Sequence, residues 1–165
     1  MQTVTNRAAQ DILECERALA LDRNLAEAHS IIGLAKLCIG RGAETEAHIQ
    51  EALRLSPRGT GACRWMHVLG ATKLVLGADA EAVVWLRRCL EANRNYPLAH
   101  FQLAAALALL GSLEEVRAAV RAGLAFDPAF TVRRMRGLVR SDDPTFRAGG
   151  RRIREGLRMA GIPEG

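Results

Sequence analysis

Cys63 and His67 stand four residues apart, so a helix there turns a thiol and an imidazole to one side. Two such groups do not make a metal site, and no other Cys or His is near in sequence. The cysteines, Cys15, Cys38, Cys63 and Cys89, are 23, 25 and 26 residues apart. No close pair exists, which argues against a zinc knuckle or a redox motif. The thiols read as reduced, mostly buried groups. Gly59-Thr60-Gly61 has the glycines of a phosphate loop but lacks the Gly-Lys-Ser/Thr ending, and no strand precedes it. Acidic residues are scattered, with no carboxylate pair set for acid–base work and no nucleophile beside a base. We expect no enzyme activity, no cofactor and no metal.

Charge is the second source of chemistry. Residues 1–128 carry 14 Lys and Arg against 14 Asp and Glu, whereas residues 129–165 carry 9 Arg against 4 acids. The net charge of +5 is therefore a property of the tail. Arg147, Arg151, Arg154 and Arg158 share one side of a helix there. Such a face is ordinarily solvated. No aromatic interleaves with these arginines, which argues against nucleic acid. No apolar run is long enough to cross a bilayer; the longest is Leu103–Leu110. Met1–Arg7 leads into a segment of mixed polarity, so no secretory leader is expected and the reading is cytoplasmic.

The elements that position these side chains follow from an internal repeat. Ala52-Leu53-Arg54-Leu55-Ser56-Pro57 recurs as Ala18-Leu19-Ala20-Leu21-Asp22-Arg23, as Cys89-Leu90-Glu91-Ala92-Asn93-Arg94 and as Gly123-Leu124-Ala125-Phe126-Asp127-Pro128. The intervals are 34, 37 and 34 residues. Ile32-Gly33, Leu69-Gly70 and Leu103-Ala104 keep the same register, as do Gly40, Gly77 and Gly111. Three extra residues fall in the loop Arg58-Gly59-Thr60-Gly61-Ala62, where an insertion costs little. Two apolar stripes at helical spacing flank each turn glycine, so each unit is helix, glycine turn, helix. Gly33 and Gly70 predict a close approach to Thr45 and Ala82 of the partner helix, and Ala104 to Val116.

With this period, the Leu-Gly pair, the turn glycine and the closing Ala-Leu-x-Leu-x-Pro, the chain resembles the tetratricopeptide repeat (TPR) family over roughly residues 1–130. The family's early aromatic is replaced by His29, Met66 and His100, and its closing proline by Arg23 and Arg94 in two units. The equivalent places of His29 and His100 mark them as packing residues. The resemblance implies an all-α fold, a right-handed α-α superhelix. A half-repeat at 5–22 precedes units at 26–59, 63–96 and 97–130, and an Arg-rich helical cap follows at 131–165. The half-repeat, with its stripe Ala8, Ile12, Cys15 and Leu19, lacks a first helix. It leads us to expect the C-terminal part of something longer.

The resemblance also implies where a ligand binds. First helices of successive units line the concave face. Carried over by position, these are Glu27, Ser30, Leu34, Leu37 and Cys38; then Arg64, His67, Ala71, Leu74 and Val75; then Leu98, Phe101, Ala105, Ala108 and Leu109. The lysines and asparagines that clamp chaperone carboxylates in this family are missing. The mainly aliphatic groove is suited to an amphipathic helix or hydrophobic segment. A neighbouring subunit or the chain's own tail could fill it, or its residues could simply pack on one another. The expected function is a protein-interaction scaffold for a protein or peptide, with self-association as the alternative.

In the tail, Val132, Met135 and Val139 predict a short helix. Ser141-Asp142-Asp143-Pro144 predicts the start of another, with Phe146, Ile153, Leu157 and Ala160 as its apolar stripe and Gly161 and Pro163 as its stop. Gly149, Gly150 and Gly156 weaken it by about 1 kcal/mol each relative to alanine, so it needs docking. The pattern Asp142-Asp143-Pro144-x-Phe146 with Gly156-Leu157-Arg158-x-Ala160-Gly161-x-Pro163 is similar to the ends of some bacterial proteins. In those, TPR units follow a nucleotidyl cyclase or transcriptional-regulator domain, which implies a bacterial signalling setting.

Overall fold

A computed structural model describes residues 4–138 and 141–165 and is all-α among them. The helices are α1 (Val4–Leu21), α2 (Ala26–Cys38), α3 (Gly42–Leu55), α4 (Ala62–Val75), α5 (Asp79–Ala92), α6 (Pro97–Leu109), α7 (Leu113–Phe126), α8 (Val132–Leu138) and α9 (Pro144–Met159). Val139, assigned to the short tail helix from the sequence, lies outside the described residues.

Helices α2/α3, α4/α5 and α6/α7 form three antiparallel hairpins, and α1 packs on α2. Each hairpin turns at a glycine in the left-handed region: Gly40, Gly77 and Gly111, with φ of 78°, 80° and 79°. At the first turn the Gly40 amide donates to the Leu37 carbonyl and the Arg41 amide to the Lys36 carbonyl; the other two repeat this pair. The paired bonds satisfy carbonyls that a helix end otherwise leaves open, and the backbone that makes them strains any residue with a Cβ. Inside the first hairpin, Thr45 Oγ1 donates to the Gly33 carbonyl at 2.9 Å. A Cβ on Gly33 would lie 2.9 Å from Ile49, so this crossing needs the missing side chain. The α3–α4 connection has six residues (56–61), against four between α1 and α2 and four between α5 and α6.

One core cluster joins Ile49 and Ala52 of α3 to Ala62, Trp65, Val68 and Leu69 of α4. A larger one runs from Leu74 through α5, α6 and α7 to Ile153, Leu157 and Ile162. Phe130 closes the last hairpin by stacking on Phe101, centroids 3.7 Å apart. The two buried lysines of the repeat are paired. Lys36 donates to Glu44 at 2.6 Å, and Lys73, in the equivalent place, bridges Glu46 of α3 at 2.8 Å and Glu81 of α5 at 2.6 Å.

The tail returns across the molecule. Asp143 caps α9, accepting from the Phe146 amide at 2.8 Å, with Pro144 in the first turn. Gly161, at φ 82°, ends it. Beyond it, Pro163 and Glu164 carbonyls accept from the Val132 and Arg133 amides at 2.9 and 3.0 Å. These bonds serve the first turn of α8, whose amides have no helical partner.

Candidate functional site: the concave face and its occupant

Helices α2, α4 and α6 form the inner layer of the superhelix. Helix α9 lies against α6 and α4, within that concavity. Glycines make this docking possible. A Cβ on Gly149 would meet Val75 Cα at 2.7 Å, and one on Gly156 would meet the Ala105 carbonyl oxygen at 2.7 Å. Both obstacles are backbone, which cannot step aside. Beside them, Ile153 and Leu157 are buried in the larger core. The spacing of seven residues from Gly149 to Gly156 is two turns, so both glycines fall on the docked side.

Polar contacts fix the register of α9. Arg152 reaches Asp79 at the start of α5 with both terminal nitrogens, one at 2.6 Å, while Asp79 is itself buried. The Asp79 carboxylate pushes the Arg152 pKa above its ordinary value. Ahead of α9, the Ser141 hydroxyl donates to the Cys38 carbonyl, which the end of α2 leaves open. The segment therefore spans from the end of α2, over α4, to α6.

The residues carried over by position divide into three sets. Val75, Ala105 and Leu109 lie against α9, with Gly149 on the first and Gly156 on the other two. Leu37, Leu74 and Ala108 are buried in the interior, and Cys38 holds Ser141 through its carbonyl. Phe101 is fully buried and abuts Gly123 of α7, so it packs between α6 and α7 under Phe130. The third set makes none of these contacts with α9. Leu34 is 41% exposed, Ala71 and Leu98 are half-buried, and Glu27 and Arg64 pair across α2 and α4. Ser30 is buried and returns its hydroxyl to the Glu27 carbonyl at 2.8 Å.

His67 sits between these sets, sealed from solvent. Burial pushes its imidazole down to about 4, against a smaller opposing pull from the Gln102 carboxamide. Tyr96 packs edge-on to the ring, with its hydroxyl 3.4 Å from Nδ1. His67 is thus a neutral floor residue. Cys63, one turn before it, faces a sulfur instead of a metal partner set: Cys89 Sγ is 2.9 Å away. Among the described residues, no three His, Cys, Asp or Glu side chains come together as a metal cage. No described helix is long and apolar enough to cross a membrane.

Sequence reasoning missed the Asp79–Arg152 pair and the contribution of the tail glycines. The spacing of Gly149 and Gly156 was a usable signal, because small residues two turns apart on one helix face mark a close crossing. Of the arginines assigned to the outer side, Arg147, Arg151 and Arg158 are exposed and Arg154 is half-buried. Arg158 pairs with Glu164 at 2.9 Å.

No protein-family model matches the sequence, and no curated protein matches it. Solved structures do. A crystal structure of MamA superposes with a TM-score of 0.68 at 15% identity, over 97% of this chain and 94% of that one. A second MamA structure gives 0.66 at 18% identity, over 90% and 78%. YrrB, described as a TPR protein with an unusual peptide-binding site, gives 0.65 at 24% identity, over 94% and 77%. At these identities the likeness is one of fold: an all-α superhelix of stacked helical hairpins.

Proposed function

We propose that this chain is a protein-interaction scaffold whose concave face binds a helical polypeptide segment. The observation that carries this reading is α9. A helix already lies on the inner surfaces of α4 and α6, its small residues at the crossing and one arginine on Asp79. A surface that seats one such helix has the shape and chemistry for another. We read Leu34, 41% exposed on α2, and the Glu27–Arg64 pair between α2 and α4 as the continuation of that surface. YrrB, of similar fold, carries a peptide-binding site. The finer reading is a bacterial signalling protein working in the cytoplasm, supported by the resemblance of residues 142–163 to the ends of such proteins.

A direct test selects a peptide from a displayed random library on the full chain, then measures its affinity for variants. Leu34→Glu and Arg64→Glu should each weaken binding at least ten-fold while far-UV circular dichroism stays unchanged. Unchanged affinity in both would move the binding surface elsewhere and overturn the assignment.

A second reading, self-association, is favoured by α1. Leu13 and Leu21 are 51% and 91% exposed on its outer side. Light scattering across a concentration series should show dimers that Leu13→Glu dissociates; a monomer at every concentration would contradict this reading.

A further inference from the structure

We propose that Cys63 and Cys89 form a reversible disulfide that clasps α4 to α5 in the middle repeat, with a peroxide as the oxidant. Twenty-five residues separate them in sequence, and the hairpin brings their sulfurs to 2.9 Å. A disulfide bond is about 2.05 Å long, so closure needs less than ~1 Å of further approach. Cys63 is the second residue of α4, directly after the long connection. Its thiol also lies 3.4 Å from the Cys89 carbonyl, which holds it over its partner.

The two sulfurs differ in a way that sets an order of events. Cys63 is only partly buried, so a solvent-borne oxidant meets it first. Cys89 is fully buried in the core. Burial pushes the Cys89 thiol up, and its bond to Cys63 adds to this, which suits the protected, second partner. Tyr96 flanks the pair, its phenol raised by burial first and by the two sulfurs next.

The chemistry balances with one peroxide. Cys63 gives its proton to solvent, and its sulfur attacks one oxygen of hydrogen peroxide. The O–O bond breaks, hydroxide leaves and is protonated to water, and Cys63 becomes a sulfenic acid. The Cys89 sulfur then attacks the Cys63 sulfur. The S–O bond breaks, and the departing hydroxide takes the Cys89 proton as a second water. Two thiols lose two electrons, and the peroxide gains them. A small thiol such as dithiothreitol reverses the state by exchange. The bond would fix the first half of α4, which carries Arg64 and His67, against α5.

The test uses the full chain. It is treated with hydrogen peroxide near neutral pH, blocked with N-ethylmaleimide and mapped by peptide mass spectrometry. The expected result is maleimide on Cys15 and Cys38 only, a Cys63–Cys89 crosslinked peptide, and a raised thermal midpoint. Dithiothreitol should restore maleimide labelling at all four cysteines and return the midpoint. Cys89→Ser should leave Cys63 as a sulfenic acid that dimedone captures. Should that buried variant fail to fold, Cys63→Ser at the more open sulfur should leave Cys89 unoxidised and reactive to maleimide on unfolding. Four maleimide adducts after peroxide, or a bond mapped to any other pair, would overturn the proposal. Because none of these readouts involves a ligand, failure here is distinct from failure of the peptide-binding reading.

Discussion

His67 is a residue whose chemistry the fold alters strongly. An exposed imidazole titrates near 6.5, and burial holds this one down to about 4. Between those values the unfolded chain binds a proton that the folded chain refuses. Stability therefore falls as pH drops from about 6.5 towards 4, by about 3 kcal/mol for this group. Other groups titrate in the same window: burial also lowers His48, while Glu44 is held down to about 2 by Arg41 and Lys36. The His67 share is isolated by comparison. Unfolding free energies from urea titrations at pH 7 and 4.5 should separate by about 2–3 kcal/mol more in the wild type than in His67→Gln. Equal separations would mean that the ring is solvated.

At the same scale, Asp79 is a buried carboxylate with one cationic partner from the tail. Arg152→Ala leaves it uncompensated. The loss should be about 1–3 kcal/mol, below the figure for a fully buried pair because Arg152 is itself partly exposed. Asp79→Asn in the same background should recover part of that loss. Thermal melts of the single and double variants check both signs.

At the scale of the element, α9 supports a prediction whose sign decides between two arrangements. On an undocked helix, Gly→Ala raises stability by about 1 kcal/mol through propensity alone. On the docked helix, the added methyl of Gly156→Ala or Gly149→Ala meets backbone at 2.7 Å. Each should cost about 1–3 kcal/mol, the usual range for overpacking. Gly150 is the internal control, since its nearest neighbour is the flexible end of Arg154 at 3.4 Å, and Gly150→Ala should be neutral or stabilising. A gain at Gly156 and Gly149 would place α9 off the concave face.

The helices themselves were largely legible. The three turn glycines marked the hairpins because only a left-handed turn closes them, and Gly33 marked the Thr45 crossing because a methyl there has no room. Asp143 and Pro144 announced the start of α9. Where α9 docks was less legible. Propensity counts glycine as a weakness, while packing uses it as clearance, and the sequence does not reveal which applies. The Cys63–Cys89 contact was hidden for a related reason. Close spacing in sequence is one route to a thiol pair, and a helical hairpin supplies another across 25 intervening residues.

For the whole molecule, the superhelix makes a concave inner layer, and the tail decides how much of it is free. Positional transfer of the groove from the resemblance placed Phe101 on that surface, but the ring turns away to stack on Phe130. It placed Val75, Ala105 and Leu109 there too, and α9 covers them. On the proposed reading, a partner docks around Leu34, 41% exposed, and Arg64, without displacing the tail.

The central claim is that the concave face accepts a helix and that α9 now holds it. The measurement that tests this most directly is a fluorescence-anisotropy titration with a labelled synthetic peptide of residues 141–165. Its targets are the full wild-type chain and the Gly149→Ala/Gly156→Ala double variant, with helicity matched by circular dichroism. The account predicts that the double variant, with α9 loosened from its seat, binds the peptide at least ten-fold more tightly than the wild type. Equal affinity for both chains, or no binding to the variant, would contradict it.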